Sequence, residues 1–303
     1  MTAKEHEKQY GGVYALMLTP FKEDLSIDYG CYAEYVKWQV SEGAHHLFCV
    51  SGSAELSELR LDERVKLAEI TVKNKGPGTK VFATANFEPG WLAQLDEMKR
   101  IEAAGVDGFV FVTKGYGNDD VRQAAYLSEL SSHTGLPVVL YESPVYSPYH
   151  HISAEAYGAL VKTGRIAGIK DTTCTMEGIC GKIAVSGDSA VLQANVAHLL
   201  DAYKAGGMGV MATISTCGTR ILRNMWDSFQ NGDIEAAEEM HFYCSSLYDA
   251  LSSAFPATSK YLVRLQSGIP MNTLTRVNKS LPGHKMRGLE VWHGHAVRRG
   301  ILK

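Results

Sequence analysis

Two short apolar runs end on side chains able to do covalent chemistry: Val138-Val139-Leu140-Tyr141-Glu142-Ser143-Pro144 and Ala167-Gly168-Ile169-Lys170-Asp171-Thr172. If both are strands, alternation puts Gly168, Lys170 and Thr172 on one face and Ile169 and Asp171 on the other. With Lys170 pointing inward, Asp171 cannot pair with it. A lysine sunk among packed apolar layers cannot keep its charge cheaply, and the neutral amine attacks a ketone to give a Schiff base. That adduct is an electron sink for making or breaking the neighbouring carbon–carbon bond. A phenol one strand earlier, Tyr141, is placed to carry protons to and from the carbinolamine. The plainer alternatives are a lysine that snorkels to the strand tip and a core tyrosine with its hydroxyl hydrogen-bonded. Spacing alone leaves both open.

A third stretch, Val50-Ser51-Gly52-Ser53-Ala54-Glu55, offers hydroxyls, small residues and backbone N–H groups before a helical run. It reads as a nest for a substrate carboxylate, or as an ordinary strand-to-helix turn with Ser53 as N-cap. The histidines form adjacent pairs, His45-His46 and His150-His151, with His293 and His295 near the end. None has the i, i+4 spacing of a helical ligand pair, so no metal is expected.

The elements that must position these residues follow a repeated βα rhythm. Strands are expected at Val13–Pro20, His46–Gly52, Lys80–Asn86, Gly108–Thr113, Pro137–Ser143, Ala167–Thr172, Ala190–Asn195 and Gly209–Ser215. Amphipathic helices lie between them, among them Leu61–Lys75, Trp91–Ala104, Val121–Thr134, Ala154–Thr163 and Ala197–Ala205. Gly76, Gly105, Gly135, Gly164 and Gly206 stand where left-handed residues close helices. Eight such repeats, with no GxGxxG after the first strand, predict an α/β fold of the (β/α)8 TIM-barrel type over 11–225 rather than an open doubly wound sheet. A helical extension and tail follow over 226–303, with Ile221–Ser253 helical apart from a break at Asn231-Gly232-Asp233. The basic end of the chain (Arg276, Lys279, Lys285, Arg287, Arg298, Arg299, Lys303) reads as a solvated face.

Composition narrows the function. The 303 residues are 45% hydrophobic and 21% charged, which excludes a disordered or fibrous chain. Thirty Lys and Arg against thirty-three Asp and Glu leave a net charge of −3, with no excess to hold nucleic acid or an anionic membrane. There is no apolar run of about eighteen residues, and Met1–Tyr10 is charged where a signal peptide would be apolar, so a cytoplasmic protein is expected. The six cysteines (Cys31, Cys49, Cys174, Cys180, Cys217, Cys244) make no CxxC pair and read as reduced, mostly buried side chains.

Thr19-Pro20-Phe21, Glu55, Val112-Thr113 with Tyr116, Tyr141 with Pro144, Gly168-Ile169-Lys170-Asp171 and Gly206-Gly207-Met208-Gly209-Val210 together resemble the dihydrodipicolinate synthase and N-acetylneuraminate lyase family over nearly the whole chain. The resemblance implies a cofactor-free, homotetrameric class I aldolase acting on pyruvate, or on a 2-keto acid cleaved to pyruvate, together with an aldehyde. By position Lys170 is its Schiff-base lysine, Tyr141 its proton-transferring phenol and Tyr116 the tyrosine that reaches across a subunit interface. Gly52 and Ser53 match the pair holding the pyruvate carboxylate, while Asn195 and Met211 are expected against the substrate.

There are departures from the family pattern. Gly52 lacks a hydroxyl that relays protons in the synthases, Glu142 replaces a common asparagine, and Gln193-Ala194-Asn195 stands for Ser-Gly-Asp. Tyr146 replaces the synthases' arginine for an acidic second substrate. These changes point away from 4-hydroxy-tetrahydrodipicolinate synthase. They leave a lyase or aldolase, a dehydratase of a hydroxylated or deoxy 2-keto sugar acid using the same enamine, and a non-catalytic keto-acid-binding barrel as readings.

Overall fold

The computed structural model describes residues 5, 9–114, 119–143, 151–278 and 280–303. Eight strands follow one another in chain order round a closed barrel: β1 Gly12–Leu16, β2 His46–Cys49, β3 Lys80–Thr84, β4 Gly108–Val112, β5 Val138–Tyr141, β6 Ile166–Asp171, β7 Ala190–Gln193 and β8 Gly209–Val210. The registered ladders are parallel. This is the (β/α)8 architecture that the alternating pattern predicts.

The strands stop short of the expected carboxyl ends, and after β3 a side chain takes over part of the pairing. After Thr84 the Asn86 amide donates to the Val112 carbonyl (3.0 Å) and accepts from the Val112 N–H (2.8 Å), replacing backbone bonds. The last strand is only Gly209–Val210, since Thr213–Thr216 turns into a 3₁₀ helix.

By its internal contacts the chain divides into two units. The first takes Phe82–Ala212 with the stretch up to Gly12. It contains β4 to β8 and the helices α3 Trp91–Ala103, α4 Asp120–Ser132, α5 Ala154–Val161, α6 Met176–Val185 and α7 Leu199–Lys204. Side chains such as Phe109, Phe111, Val139, Leu140, Ile169 and Leu192 are fully buried, as in a parallel sheet covered on both faces.

The second unit takes Val13–Val81 and Thr213–Lys303. It holds α1 Tyr29–Ser41, α2 Leu61–Asn74, α8 Thr219–Gln230, α9 Ile234–Ser252, α10 Ala257–Ser267 and α11 Gly283–Arg298. The expected break separates α8 from α9, with Gly232 at φ +78° and Asp233 capping α9 through the Ala236 N–H.

Three expectations need correction. Gly105, Gly164 and Gly206 have the left-handed φ that closes a helix, but Gly76 and Gly135 do not. Instead α2 runs out through an extended Lys75, and α4 ends on His133 at φ −85°. Arg276 is not part of a solvated face. Its guanidinium holds Glu63 by two bonds of 2.8 Å, lies 4.8 Å from the Phe21 ring centre and donates to the Leu25 and Glu58 carbonyls. Arg287, Arg298, Arg299 and Lys303 are exposed as expected, Lys285 is half-buried, and Lys279 lies outside the described residues.

All six cysteines are free; Cys31, Cys49, Cys217 and Cys244 are buried, Cys174 and Cys180 exposed. Among the described residues no helix is long and apolar enough to cross a membrane.

Candidate active site

In the first unit the register of β5 against β6 decides which side chains meet. Val138 pairs with Ile166 but Val139 pairs with Gly168, so the ladder slips by one residue at Ala167 and then runs in phase to Tyr141 opposite Lys170. On its other side Gly168 lies close against β7. A Cβ there would lie 2.8 Å from the Ala190 carbonyl oxygen, closer than any side chain tolerates. Lys170 Nζ ends 4.1 Å from the centre of the Tyr141 ring, and the two residues are only 5% and 6% exposed. Among the described residues no hydrogen bond or ion pair is made by the Lys170 ammonium. An amine with its stem buried, against a phenol and without a carboxylate partner, is equipped to add to a carbonyl.

The residue that follows each of the two points the other way. Glu142 and Asp171 are both fully buried and share Lys182 of α6, whose Nζ lies 2.7 and 2.8 Å from the two Glu142 oxygens and 2.7 Å from Asp171 Oδ2. Glu142 also accepts from the backbone N–H groups of Ile152 (2.9 Å) and Thr172 (3.1 Å). Asp171 accepts from Thr173 and from the Gln193 amide. Burial, reinforced by the Asp171 charge, pushes the Glu142 carboxyl above its ordinary pKa against the pull of Lys182.

In the second unit Gly52–Ala54 forms a 3₁₀ turn between two left-handed residues, Val50 (φ +57°) and Glu55 (φ +62°). A β-branched residue in that region is strained, at a cost of about 1–3 kcal/mol. The turn is held by Thr19 Oγ1 donating to the Ala54 carbonyl (2.7 Å). It is held also by Glu55, which accepts from Lys260 Nζ (2.8 Å) and from the Arg276 and Val277 backbone N–H groups. Ser53 is buried inside the turn and is not its cap, because the N-cap position falls on Ser51, which makes no capping bond. The Ser51 hydroxyl is buried without a hydrogen-bond partner among the described residues.

The match to the dihydrodipicolinate synthetase family model runs over residues 9–277, across both units. The chain belongs to this family. Its members are lyases of the class I aldolase type. The chain is 29% identical over 235 residues to a 4-hydroxy-tetrahydrodipicolinate synthase of Magnetococcus marinus, covering 77% of this chain and 79% of the relative. It is 26% identical over 290 residues to that of Acidiphilium cryptum, covering 92% and 98%. In fold it matches the E. coli K12 prophage protein YagE, a family member solved in complex with pyruvate, with a TM-score of 0.86 at 20% identity over 94% of this chain and 98% of the other.

Of the other residues expected in a site of this family, Asn195 is half-buried after β7, where its Oδ1 caps a 3₁₀ turn by accepting from the Ala197 N–H (3.0 Å). Met211 is fully buried just after β8, its N–H donating to the Gln193 carbonyl. Gly52 is half-buried in the second unit. Tyr116, Pro144 and Tyr146 lie outside the described residues. His45 is no free ligand: its Nδ1 accepts from the Val13 N–H (3.0 Å), and burial pushes its pKa down to about 4.

Three charged residues escape sequence reasoning: Lys182, Lys260 and Arg276. For Lys182 a signal exists, since it stands three residues after the buried Ile179 on the inward stripe of α6. Lys260 lies in a stretch, Ala257–Val263, that is buried on every side. Its charge is met there by Glu55, by the Leu274 carbonyl (2.6 Å) and by the Phe21 ring; burial lowers its pKa and Glu55 pulls it back up. Arg276 carries no local signal, because its partner is more than two hundred residues away in the chain.

Proposed function

We propose that this family member is a Schiff-base lyase or aldolase that cleaves or forms a 2-keto acid, with pyruvate as one partner and an aldehyde as the other. The observation that supports it is the Lys170 amine 4.1 Å from the Tyr141 ring on a buried strand tip. Lys170 adds to the ketone, the carbinolamine loses water, and the iminium accepts the electron pair of the breaking carbon–carbon bond as the keto acid's hydroxyl on the departing carbon gives up its proton and becomes the aldehyde carbonyl. Protonation of the enamine and hydrolysis then release pyruvate and the free amine. Tyr141 carries the protons in these steps. In this reading Ser53 and the backbone at Gly52 hold the keto-acid carboxylate, Asn195 and Met211 contact substrate, and Tyr116 completes the site across a subunit interface. The protein then works as a cytoplasmic homotetramer, with the barrel over 11–225 and the helical extension over 226–303.

Two further readings use the same amine. Expulsion of water from the enamine would make the enzyme a dehydratase of a hydroxylated or deoxy 2-keto sugar acid. The name carried by the sequence relatives favours 4-hydroxy-tetrahydrodipicolinate synthase, while Tyr146 in place of the synthases' arginine argues against it.

Borohydride treatment with pyruvate, followed by intact mass and peptide mapping, tests the amine. A reduced pyruvate adduct on Lys170, absent from Lys170→Ala, is expected. Unmodified protein that still binds pyruvate would identify a binding barrel without turnover. A screen of 2-keto-3-deoxy acids and acidic aldehydes, reading pyruvate released or consumed, separates the three catalytic readings.

A further inference from the structure

At the carboxyl ends of β5 and β6 stand two pairs of successive residues, the first member of each facing its counterpart at the candidate site and the second facing α6. The first members are Tyr141 and Lys170, the last registered pair of the ladder. The second members are Glu142 and Asp171, and both reach Lys182.

The ammonium has three N–H groups and finds three carboxylate oxygens, at 2.7, 2.8 and 2.7 Å, with its own side chain only 2% exposed. Beyond Tyr141 the Glu142 side chain replaces the ladder. Its Oε2 accepts the Thr172 N–H, and the Glu142 carbonyl accepts Thr172 Oγ1 at 3.1 Å. The carboxylate that grips Lys182 therefore also fixes the residue two after Lys170. Tyr157 of α5 adds no charge to this cluster, its hydroxyl donating to Ser189 at 2.8 Å.

We propose that Lys182 is a positioning residue: by clamping Glu142 and Asp171 together from the α6 side, it holds the Tyr141 phenol and the Lys170 amine in contact on the opposite face. Neither strand tip can turn about its axis without breaking a bond to Lys182. Loss of the ammonium removes the three bonds that join the two tips and leaves two buried carboxyl groups side by side without their shared cation. The β5–β6 ladder ends at the Tyr141–Lys170 pair, and beyond it the two tips are joined to each other through Glu142, Thr172 and Lys182.

The proposal rests on Lys170 and Tyr141 being the reactive pair, and its test is built to fail separately from that reading. Trace acetylation of the substrate-free protein with acetic anhydride, mapped by mass spectrometry, reports the relative reactivity of the Lys170 amine without any keto acid. Lys182→Met and the milder Glu142→Gln are compared with Leu127→Ala, a core truncation on α4 in the same unit that supplies a matched loss of melting temperature. Lys170 acetylation is expected to change by about tenfold or more in both bridge variants and to stay at the wild-type rate in Leu127→Ala. The borohydride-trapping rate at saturating pyruvate should fall by a similar factor, with half-saturating pyruvate within about threefold of wild type.

Equal Lys170 acetylation in Lys182→Met, Glu142→Gln and Leu127→Ala would overturn the positioning role. If Lys182→Met does not fold, Glu142→Gln against Leu127→Ala decides. A wild-type protein that forms no reducible pyruvate adduct would end the Schiff-base reading, and the acetylation comparison would still decide whether Lys182 positions the two strand tips.

Discussion

Tyr141 sets its ring against the Lys170 amine, and in the proposed mechanism its hydroxyl transfers protons; a single substitution separates the two. Tyr141→Phe keeps the ring. It should still yield a borohydride-trapped adduct at Lys170, while pyruvate release from a cleaved keto acid falls by about 10²–10⁴-fold, the usual contribution of a placed acid/base group. His45 gives a second test at this scale. Burial first, then the Arg223 charge, lowers its folded pKa to about 4, below an unfolded value of 6.5. The unfolded chain therefore binds the extra proton first. His45 contributes full stability above pH 6.5, and that contribution is lost as pH falls toward 4. In His45→Asn, which keeps an acceptor for the Val13 N–H, urea unfolding should show a smaller stability loss between pH 6.5 and 4.5. The expected difference is about 1–2 kcal/mol, allowing for the partial exposure of the ring.

At the scale of elements, each unit ties one candidate-site segment to a helix through a buried lysine. α6 supplies Lys182 to the tips of β5 and β6, and α10 supplies Lys260 to Glu55, the left-handed residue closing the Ser51–Glu55 turn. A buried pair broken from one side leaves an unpaired charge, so Lys260→Met should cost about 3–5 kcal/mol by urea denaturation. Glu55→Gln/Lys260→Met should recover a substantial part of that loss, because no orphaned carboxylate remains. If the double variant is as unstable as the single one, Lys260 acts through packing against Phe21, 4.5 Å from its ring centre, rather than through charge.

For the whole molecule, the family membership and the barrel make ligand linkage the direct readout. Pyruvate at about a hundred times its dissociation constant stabilises the folded state by about 2.7 kcal/mol. A pyruvate-dependent rise of several degrees in melting temperature is expected for the wild type, with most of it gone in Lys170→Ala. Sedimentation equilibrium of the unliganded protein should give the mass of four chains if the homotetrameric reading is right; a single-chain mass would remove Tyr116 from any site shared between subunits.

The order of eight strands and the helices between them were legible in the residues themselves, because periods of two and 3.6 and the punctuation by glycine are local properties of the chain. So were Tyr141 and Lys170 as candidates, each a polar residue at the end of an apolar run. Their contact was not, since it depends on a one-residue slip of register at Ala167. Nor was the partnership of Glu142, Asp171 and Lys182, or that of Glu55, Lys260 and Arg276, with partners from eleven to more than two hundred residues apart. Which buried charges neutralise one another is a matter of packing, and an isolated segment carries no record of it.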